Sequence, residues 1–162
     1  MIKQVSLIVG ALSLLMGGSL CAAKEGWSED MAKAKAEALA SKKYLFLDFT
    51  GSDWCSWCKK IDKDIFAKEE FMALAKERLV LVEVDFPEGK TLPPAVKTQN
   101  EALKQTFKVQ GFPTLVLLSP EGKEVRRWEG YVPGMVGELR AALDKKPAAS
   151  GGWFSKVLPG SK

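Results

Sequence analysis

The stretch that decides the fold is Trp54-Cys55-Ser56-Trp57-Cys58-Lys59, within a chain of 162 residues. The chain has three cysteines, and two of them, Cys55 and Cys58, stand three residues apart. Chance would place two cysteines of a sparse sequence at this spacing about once in a hundred cases. A purely structural disulfide is the alternative, but so small a loop removes little chain entropy from the unfolded state. The pair is therefore expected to be a redox-active dithiol.

The composition excludes several classes of protein. The chain is 46% hydrophobic and 27% charged, which suits one folded domain and is not apolar enough for a multi-span membrane protein. The 24 Lys and Arg exceed the 20 Asp and Glu by only four, and no basic stripe accompanies them, so a nucleic-acid partner is not expected. Because the chain has no histidine, an imidazole base, a His-ligated zinc and a His-ligated haem are all excluded.

Residues 1–23 have the pattern of an export signal. Lys3 precedes an uncharged apolar run over residues 5–20, and small residues follow it. The run is shorter than the roughly 20 residues of a membrane-spanning helix, so a retained membrane anchor is the lesser alternative and no span is expected after cleavage. Lipidation of Cys21 is a second minority interpretation, since Leu20 is too bulky for the usual lipoprotein pattern. Export to an oxidising compartment would permit a disulfide.

The rest of the chain alternates between helical and extended patterns. Ser28 is expected to cap the first helix, and Pro120 suits a turn that sends the fourth strand back antiparallel to the third. The predicted domain covers residues 24–146, and residues 147–162 are expected to be a flexible tail. The predicted elements are helix 28–41, strand 44–49, helix 55–78, strand 79–86, helix 95–109, strands 115–118 and 123–128, and helix 133–145.

This order of elements, with cysteines where the first strand meets the next helix, resembles the thioredoxin superfamily. The resemblance rests on Asp48-Phe49, on residues 54–59 and on Gly111-Phe112-Pro113-Thr114, and it covers about residues 28–145. The chain is most similar to exported bacterial thioredoxin-like proteins with a WCxWC centre, and to the C-terminal periplasmic domain of the disulfide reductase DsbD. The resemblance implies an α/β fold with a central mixed sheet of four to five strands flanked by helices, in a periplasmic protein.

The position of the two cysteines suggests how they divide the chemistry. Cys55 is expected at a helix N-terminus, where unpaired N–H groups and the helix dipole favour its thiolate, so it is the expected nucleophile. Cys58 lies one turn deeper on the same helical face and is expected to resolve the mixed disulfide. Lys59 and Lys60 add positive charge nearby.

By resemblance, Asp48 is the buried acid that takes the proton of Cys58, with a pKa raised by burial. Asp48 stands seven residues before Cys55, one more than in thioredoxins. One alternative therefore stays open, in which Asp48 only bonds backbone at the end of its strand and Asp53 is then the nearer acid. The lysine that thioredoxins pair with this acid is absent, because Leu81 stands at the matching place.

Four further residues are candidates for substrate binding. By resemblance, Pro113 follows a cis peptide bond beside the cysteines, and Phe112 offers backbone groups to the substrate; without the resemblance, Pro113 is an ordinary proline at a strand entry. Trp57 is expected to be partly exposed and to contact extended protein substrates, and Trp54 to cover the base of Cys55, with packing as the alternative role.

These observations predict an exported thiol–disulfide oxidoreductase that acts on protein disulfides or thiols as a monomer, without a metal or cofactor. A strong oxidase typically carries a histidine between its cysteines, whereas Ser56 and Trp57 stand there, so a reductase or isomerase recharged by a membrane electron donor is favoured. One alternative is a Cu(I) metallochaperone that uses the two thiolates. A redox-inert binding module on the same scaffold is another.

Overall fold

The computed structural model describes residues 24–145, and its five strands form one mixed sheet. The strands are β1 Trp27–Ser28, β2 Tyr44–Thr50, β3 Leu79–Asp85, β4 Thr114–Leu118 and β5 Glu124–Glu129. Their spatial order is β1-β3-β2-β4-β5, in which β3 is parallel to β1 and β2, and β4 is antiparallel to β2 and β5. The predicted signal peptide and C-terminal tail lie outside the described residues.

Five α-helices flank the sheet. They are α1 Met31–Ser41, α2 Ser56–Ile61, α3 Glu69–Arg78, α4 Pro94–Thr106 and α5 Met135–Asp144, and a π-helical turn, Asp62–Phe66, follows α2 directly. Side chains of α2, α3 and α5 share one apolar cluster with the sheet, and those of α1 and α4 share another. The predicted α/β class and mixed sheet are confirmed.

Strand β2 is buried over its whole length because it lies between β3 and β4 and has helices over both faces. Its side chains alternate between the two apolar clusters, as the two-residue period of a strand requires. Tyr44 and Phe46 join the cluster of α2, α3 and α5, whereas Leu45, Leu47 and Phe49 join the other. Asp48 continues the series of Tyr44 and Phe46 and therefore lies on the face that α2 covers.

The first predicted helix is wrong at its N-terminus. Ser28 lies in β1, which the sequence pattern did not reveal because two residues show no alternation. Asp30 caps α1 instead, and its carboxylate accepts hydrogen bonds from the N–H groups of Ala32 at 2.9 Å and Lys33 at 3.0 Å. Every later predicted element except helix 55–78 begins and ends within three residues of an observed one.

Helix 55–78 is also corrected, since the structure divides it into α2, the π-helical turn and α3. Lys68 has extended backbone angles and separates the last two. The physical reason is the five-residue step from Phe66 to Phe71, because a continuous α-helix would turn these side chains roughly 140° apart. The break allows both rings to enter the same cluster, where their centroids lie 4.8 Å apart.

The assignment of the cap gives a first prediction. Replacing Asp30 with alanine is expected to lower the free energy of unfolding by about 1 kcal/mol, because two N–H groups of the first turn lose their acceptor. Denaturant unfolding of the oxidised protein measures this, with Ser28→Ala as the matched control. The hydroxyl of Ser28 accepts one hydrogen bond, from the N–H of Asp30 at 3.1 Å. A larger loss for Ser28→Ala than for Asp30→Ala would contradict the assignment.

Candidate active site

The cysteine pair lies where the chain leaves β2 and enters α2. Cys55 is the N-cap of α2, with extended backbone angles, and it forms a disulfide with Cys58. The Sγ of Cys55 also accepts a hydrogen bond from the backbone N–H of Cys58 at 3.2 Å. In this oxidised form Cys55 exposes 6% of its surface and Cys58 only 2%, which is the order expected for a nucleophile and a resolving cysteine.

The backbone at this position favours a thiolate on Cys55. An N-cap faces N–H groups that have no partner within the helix, and these groups carry the positive end of the helix dipole. The N–H of Cys58 is one of them, and it already points at the sulfur. The two neighbouring lysines differ: Lys59 donates to the carbonyl oxygen of Asp53 at 2.7 Å, whereas Lys60 pairs with Asp64 at 2.6 Å.

Asp48 is buried on the sheet face that α2 covers. It exposes 2% of its surface, and its Oδ1 has no hydrogen-bond partner in the structure. Burial raises the pKa of Asp48 to about 8, with smaller contributions of the same sign from Asp62, Glu83 and Asp85. A carboxyl group with this pKa is mostly protonated at neutral pH, and its ionised fraction can accept a proton from a thiol.

Lys24 contributes a positive charge that the sequence did not predict at this acid. Leu81 does occupy β3 beside Phe46, so no lysine comes from the strand. Lys24 instead forms an ion pair with Asp62, and its Nζ lies 4.4 Å from the ring centroid of Trp27. Its charge lowers the pKa of Asp48, against the larger effect of burial. The cation comes from the segment before β1, whose path no strand pattern reveals.

Two buried acids of β3 were also missed. Glu83 lies opposite Asp48 in the strand register, and burial raises its pKa, again against a smaller lowering effect of Lys24. Asp85 accepts hydrogen bonds from the N–H of Ser52 at 2.9 Å and from its hydroxyl at 2.6 Å, and it pairs with Lys90 at 2.8 Å. The signal was available, since both acids interrupt an otherwise apolar strand.

Asp53, the alternative acid, is engaged elsewhere. Its Oδ1 accepts from the N–H of Glu88 at 3.0 Å and its Oδ2 from the N–H of Gly89 at 2.6 Å. These hydrogen bonds, that of Glu88 first, lower the pKa of Asp53, so it is ionised at neutral pH. Asp53 therefore lacks the raised pKa that the buried acid was expected to have.

The four candidate substrate-binding residues differ in exposure and contacts. Trp57 exposes 56% of its surface, with its ring centroid 5.8 Å from that of Tyr131, so its predicted exposure is confirmed. Trp54 exposes 43% and meets Phe112 edge-on at 5.9 Å. The peptide bond between Phe112 and Pro113 is cis.

Residues 24–145 hold no cluster of three or more Cys, His, Asp or Glu side chains arranged to bind a metal ion. Within the same range, no helix has the length and hydropathy needed to cross a membrane.

Comparisons with known proteins agree with this geometry. The family model for the thioredoxin-like domain matches residues 31–146. Disulfide bond reductase DsbH of Chlamydia pneumoniae is 39% identical over 128 residues, which are 76% of this chain and 76% of that protein. Thiol:disulfide interchange protein DsbD 2 of Pseudomonas aeruginosa is 32% identical over 105 residues, which are 63% of this chain but only 16% of that protein.

A solved structure of a DsbH oxidoreductase superimposes with a TM-score of 0.70 at 35% identity. The match covers 85% of this chain and 96% of that one. A thioredoxin from Thermus thermophilus superimposes with a TM-score of 0.51 at 22% identity, over 70% of this chain and 80% of that one, and supports the fold alone.

Proposed function

The chain belongs to the thioredoxin-like domain family, and from this premise we propose that it is a thiol–disulfide oxidoreductase that reduces disulfides of protein substrates. The observation that carries the proposal is the disulfide between Cys55 and Cys58 at the N-cap of α2. A relative named a disulfide bond reductase, similar over 76% of the chain, supports the same activity.

The reaction begins with the reduced dithiol. The Cys55 thiolate attacks one sulfur of a substrate disulfide, forms a mixed disulfide and displaces the other substrate sulfur as a thiolate. The Cys58 sulfur then attacks the Sγ of Cys55, which closes the intramolecular disulfide and releases the second substrate thiol. Two electrons pass from the enzyme dithiol to the substrate, and the product is the oxidised form that the structure describes.

Asp48 is proposed to take the proton of Cys58 during the second step. It does so in its ionised form, which is the minority form at neutral pH because the pKa is about 8. Attack requires Cys58 as a thiolate, and a thiol near its ordinary pKa is mostly protonated at neutral pH. The raised pKa of Asp48 lies close to the pKa of a thiol, so proton transfer between the two groups is nearly balanced. Its unpartnered Oδ1 is available to accept a hydrogen bond.

Export to the periplasm and a membrane electron donor complete the proposal. The apolar run over residues 5–20 supports export. In an oxidising compartment a reductase must be recharged after each turnover, so a second dithiol has to deliver two electrons to the Cys55–Cys58 disulfide. A membrane protein that carries electrons across the bilayer is the kind of donor this requires.

An insulin-reduction assay with dithiothreitol tests the activity, and a redox equilibrium tests its direction. We expect a reduction potential closer to the about −270 mV of thioredoxin than to the about −120 mV of a strong oxidase, since Ser56 and Trp57 offer no cation to stabilise the reduced form. Equilibration with glutathione buffers, followed by alkylation of free thiols, measures it. A potential near that of the oxidase would contradict the reducing direction while leaving the exchange activity intact.

A further inference from the structure

Two loops beside the cysteines are joined by a set of hydrogen bonds. The first is the turn over residues 51–53, which follows β2, and the second follows β3 over residues 86–93. The carboxylate of Asp53 binds the N–H groups of Glu88 and Gly89 at 3.0 and 2.6 Å. The first loop thus supplies a side chain that holds the second.

The contact with Asp53 leaves little room for a side chain at Gly89. A Cβ placed on Gly89 would lie 3.1 Å from Oδ2 of Asp53, tighter than an ordinary van der Waals contact. Because the two N–H bonds lower the pKa of Asp53, its carboxylate is charged at neutral pH and accepts both of them strongly. Ser52 adds two bonds from the same loop to Asp85, at the end of β3.

The joined loops hold three aromatic rings in a row, which we call the aromatic rim: Trp54, Phe112 and Phe86. The indole N–H of Trp54 donates to the carbonyl oxygen of Phe86 at 2.8 Å. A Cβ on Gly51 would overlap the same indole, so the ring lies directly on the first loop. Phe86 stacks on Phe112 at 5.1 Å, and Trp54 meets Phe112 at 5.9 Å.

The rim combines one exposed ring with two partly buried rings, and the Nζ of Lys104 lies 5.2 Å from the ring centroid of Phe86 and 5.4 Å from that of Phe112. Trp54 exposes 43% of its surface, yet a hydrogen bond, a close backbone contact and a neighbouring ring fix its orientation. Apolar surface that is already ordered binds a partner without a further loss of side-chain entropy. The two ring-to-ring steps together match about three residues of an extended chain, at ~3.3 Å each.

We propose that Asp53 is a positioning residue for substrate choice: it holds the aromatic rim in place to receive an extended apolar segment of the protein that carries the disulfide. The rim is continuous with the catalytic pair, since Trp54 precedes Cys55 and Phe112 precedes Pro113. On this proposal, a protein chain that runs past the sulfur contacts the rim, whereas a small disulfide reacts at the sulfur without it. The inference rests on the proposed function and adds a selectivity that the dithiol alone lacks.

The test compares two substrates in single-turnover experiments with the pre-reduced protein. Insulin is the protein disulfide and hydroxyethyl disulfide the small one, and loss of enzyme thiols gives each second-order rate constant. For Asp53→Ala we expect the ratio of the insulin rate to the hydroxyethyl disulfide rate to fall about tenfold, because binding to the rim is lost. Asp53→Asn retains one acceptor oxygen and should give an intermediate ratio.

Asp30→Ala is the matched control, because Asp30 also binds two successive backbone N–H groups but does so at α1. Its ratio should equal that of the wild type. Phe86→Ala tests the rim directly without altering either loop's hydrogen bonds to the backbone, and it should lower the ratio as Asp53→Ala does. Thermal unfolding of each variant establishes that it is folded.

Three results distinguish the possibilities. A selective loss with insulin in both Asp53→Ala and Phe86→Ala supports the inference. An equal fall in the rate constants for both substrates overturns it, because Asp53 would then affect the sulfur chemistry itself. An unchanged rate constant for both also overturns it, because Asp53 would then have no effect on the reaction. Failure of the wild-type protein to reduce either substrate would instead refute the proposed function.

Discussion

Replacing Cys55 with serine is expected to lower insulin reduction by on the order of 10³-fold or more, to the rate of dithiothreitol alone. The hydroxyl that replaces the thiol does not attack a disulfide, so no mixed disulfide forms. Ser56→Ala is the matched control, since it alters a side chain next to the nucleophile without removing a sulfur. Its rate should stay within about twofold of the wild type. Residual activity of Cys55→Ser above the dithiothreitol rate would refute the assignment of Cys55.

Cys58→Ser provides the complementary result. It leaves Cys55 able to attack but removes the group that resolves the mixed disulfide, so bound substrate should accumulate on Cys55. Non-reducing electrophoresis after incubation with insulin detects the adduct, and peptide mapping identifies the modified cysteine. An adduct formed only by the Cys55→Ser variant, on Cys58, would reverse the two roles. Cys58→Ser, expressed in cells, would capture natural partners for identification.

Replacing Asp48 with asparagine is expected to stabilise the oxidised protein, increasingly so as the pH rises. The pKa of Asp48 is about 8 in the folded protein, against 3.8 for an aspartate in an unfolded chain. Between these values the folded state binds more protons than the unfolded state, so the free energy of unfolding falls as pH rises. The cost is absent near pH 4 and complete above pH 8, where a shift of this size corresponds to roughly 6 kcal/mol. Asparagine does not ionise, so the variant does not lose this stability as the pH rises.

Urea unfolding of wild type and Asp48→Asn at a series of pH values from 4 to 9 measures this difference. Asp144→Asn is the control, because Asp144 is an exposed aspartate that pairs with Arg78 at 3.4 Å. It should leave the pH dependence unchanged. In Asp48→Asn the free energy of unfolding should still fall with pH, but less steeply than in the wild type, since burial also raises the pKa of Glu83. A wild-type slope in Asp48→Asn would mean that the acid is ionised in the folded protein.

The order of strands and helices could be predicted because each is a local pattern. The apolar run of β2 and the turn around Pro120 depend on neighbouring residues alone, and both are found where they were expected: β2 at Tyr44–Thr50, and a turn in which Gly122 donates to Ser119 at 2.8 Å. β1 escaped detection because two residues carry no period. The apolar spacing is helical on both sides of the break before α3, so the sequence predicted one continuous helix.

The active site divides in the same way. Cys55 and Cys58 were identified from their spacing, and the chain is confirmed as a thiol–disulfide oxidoreductase of the thioredoxin-like domain family. Lys24, Glu83 and the contacts of Asp53 were not identified. Lys24 meets Asp62 across 38 positions, and Asp53 meets Glu88 across 35. No local pattern encodes such pairs.

The redox-active cysteine pair could be predicted from the sequence, because a dithiol at a strand-to-helix junction needs only residues that are neighbours in the chain. Tertiary structure alone decided the surroundings of that dithiol: which carboxyl groups are buried together, which cation moderates them, and how two loops hold three rings beside the nucleophile. The physical reason is that burial and Coulomb interaction depend on distance in space. Burial within the sheet raises the pKa of both Asp48 and Glu83, and the charge of Lys24 lowers both.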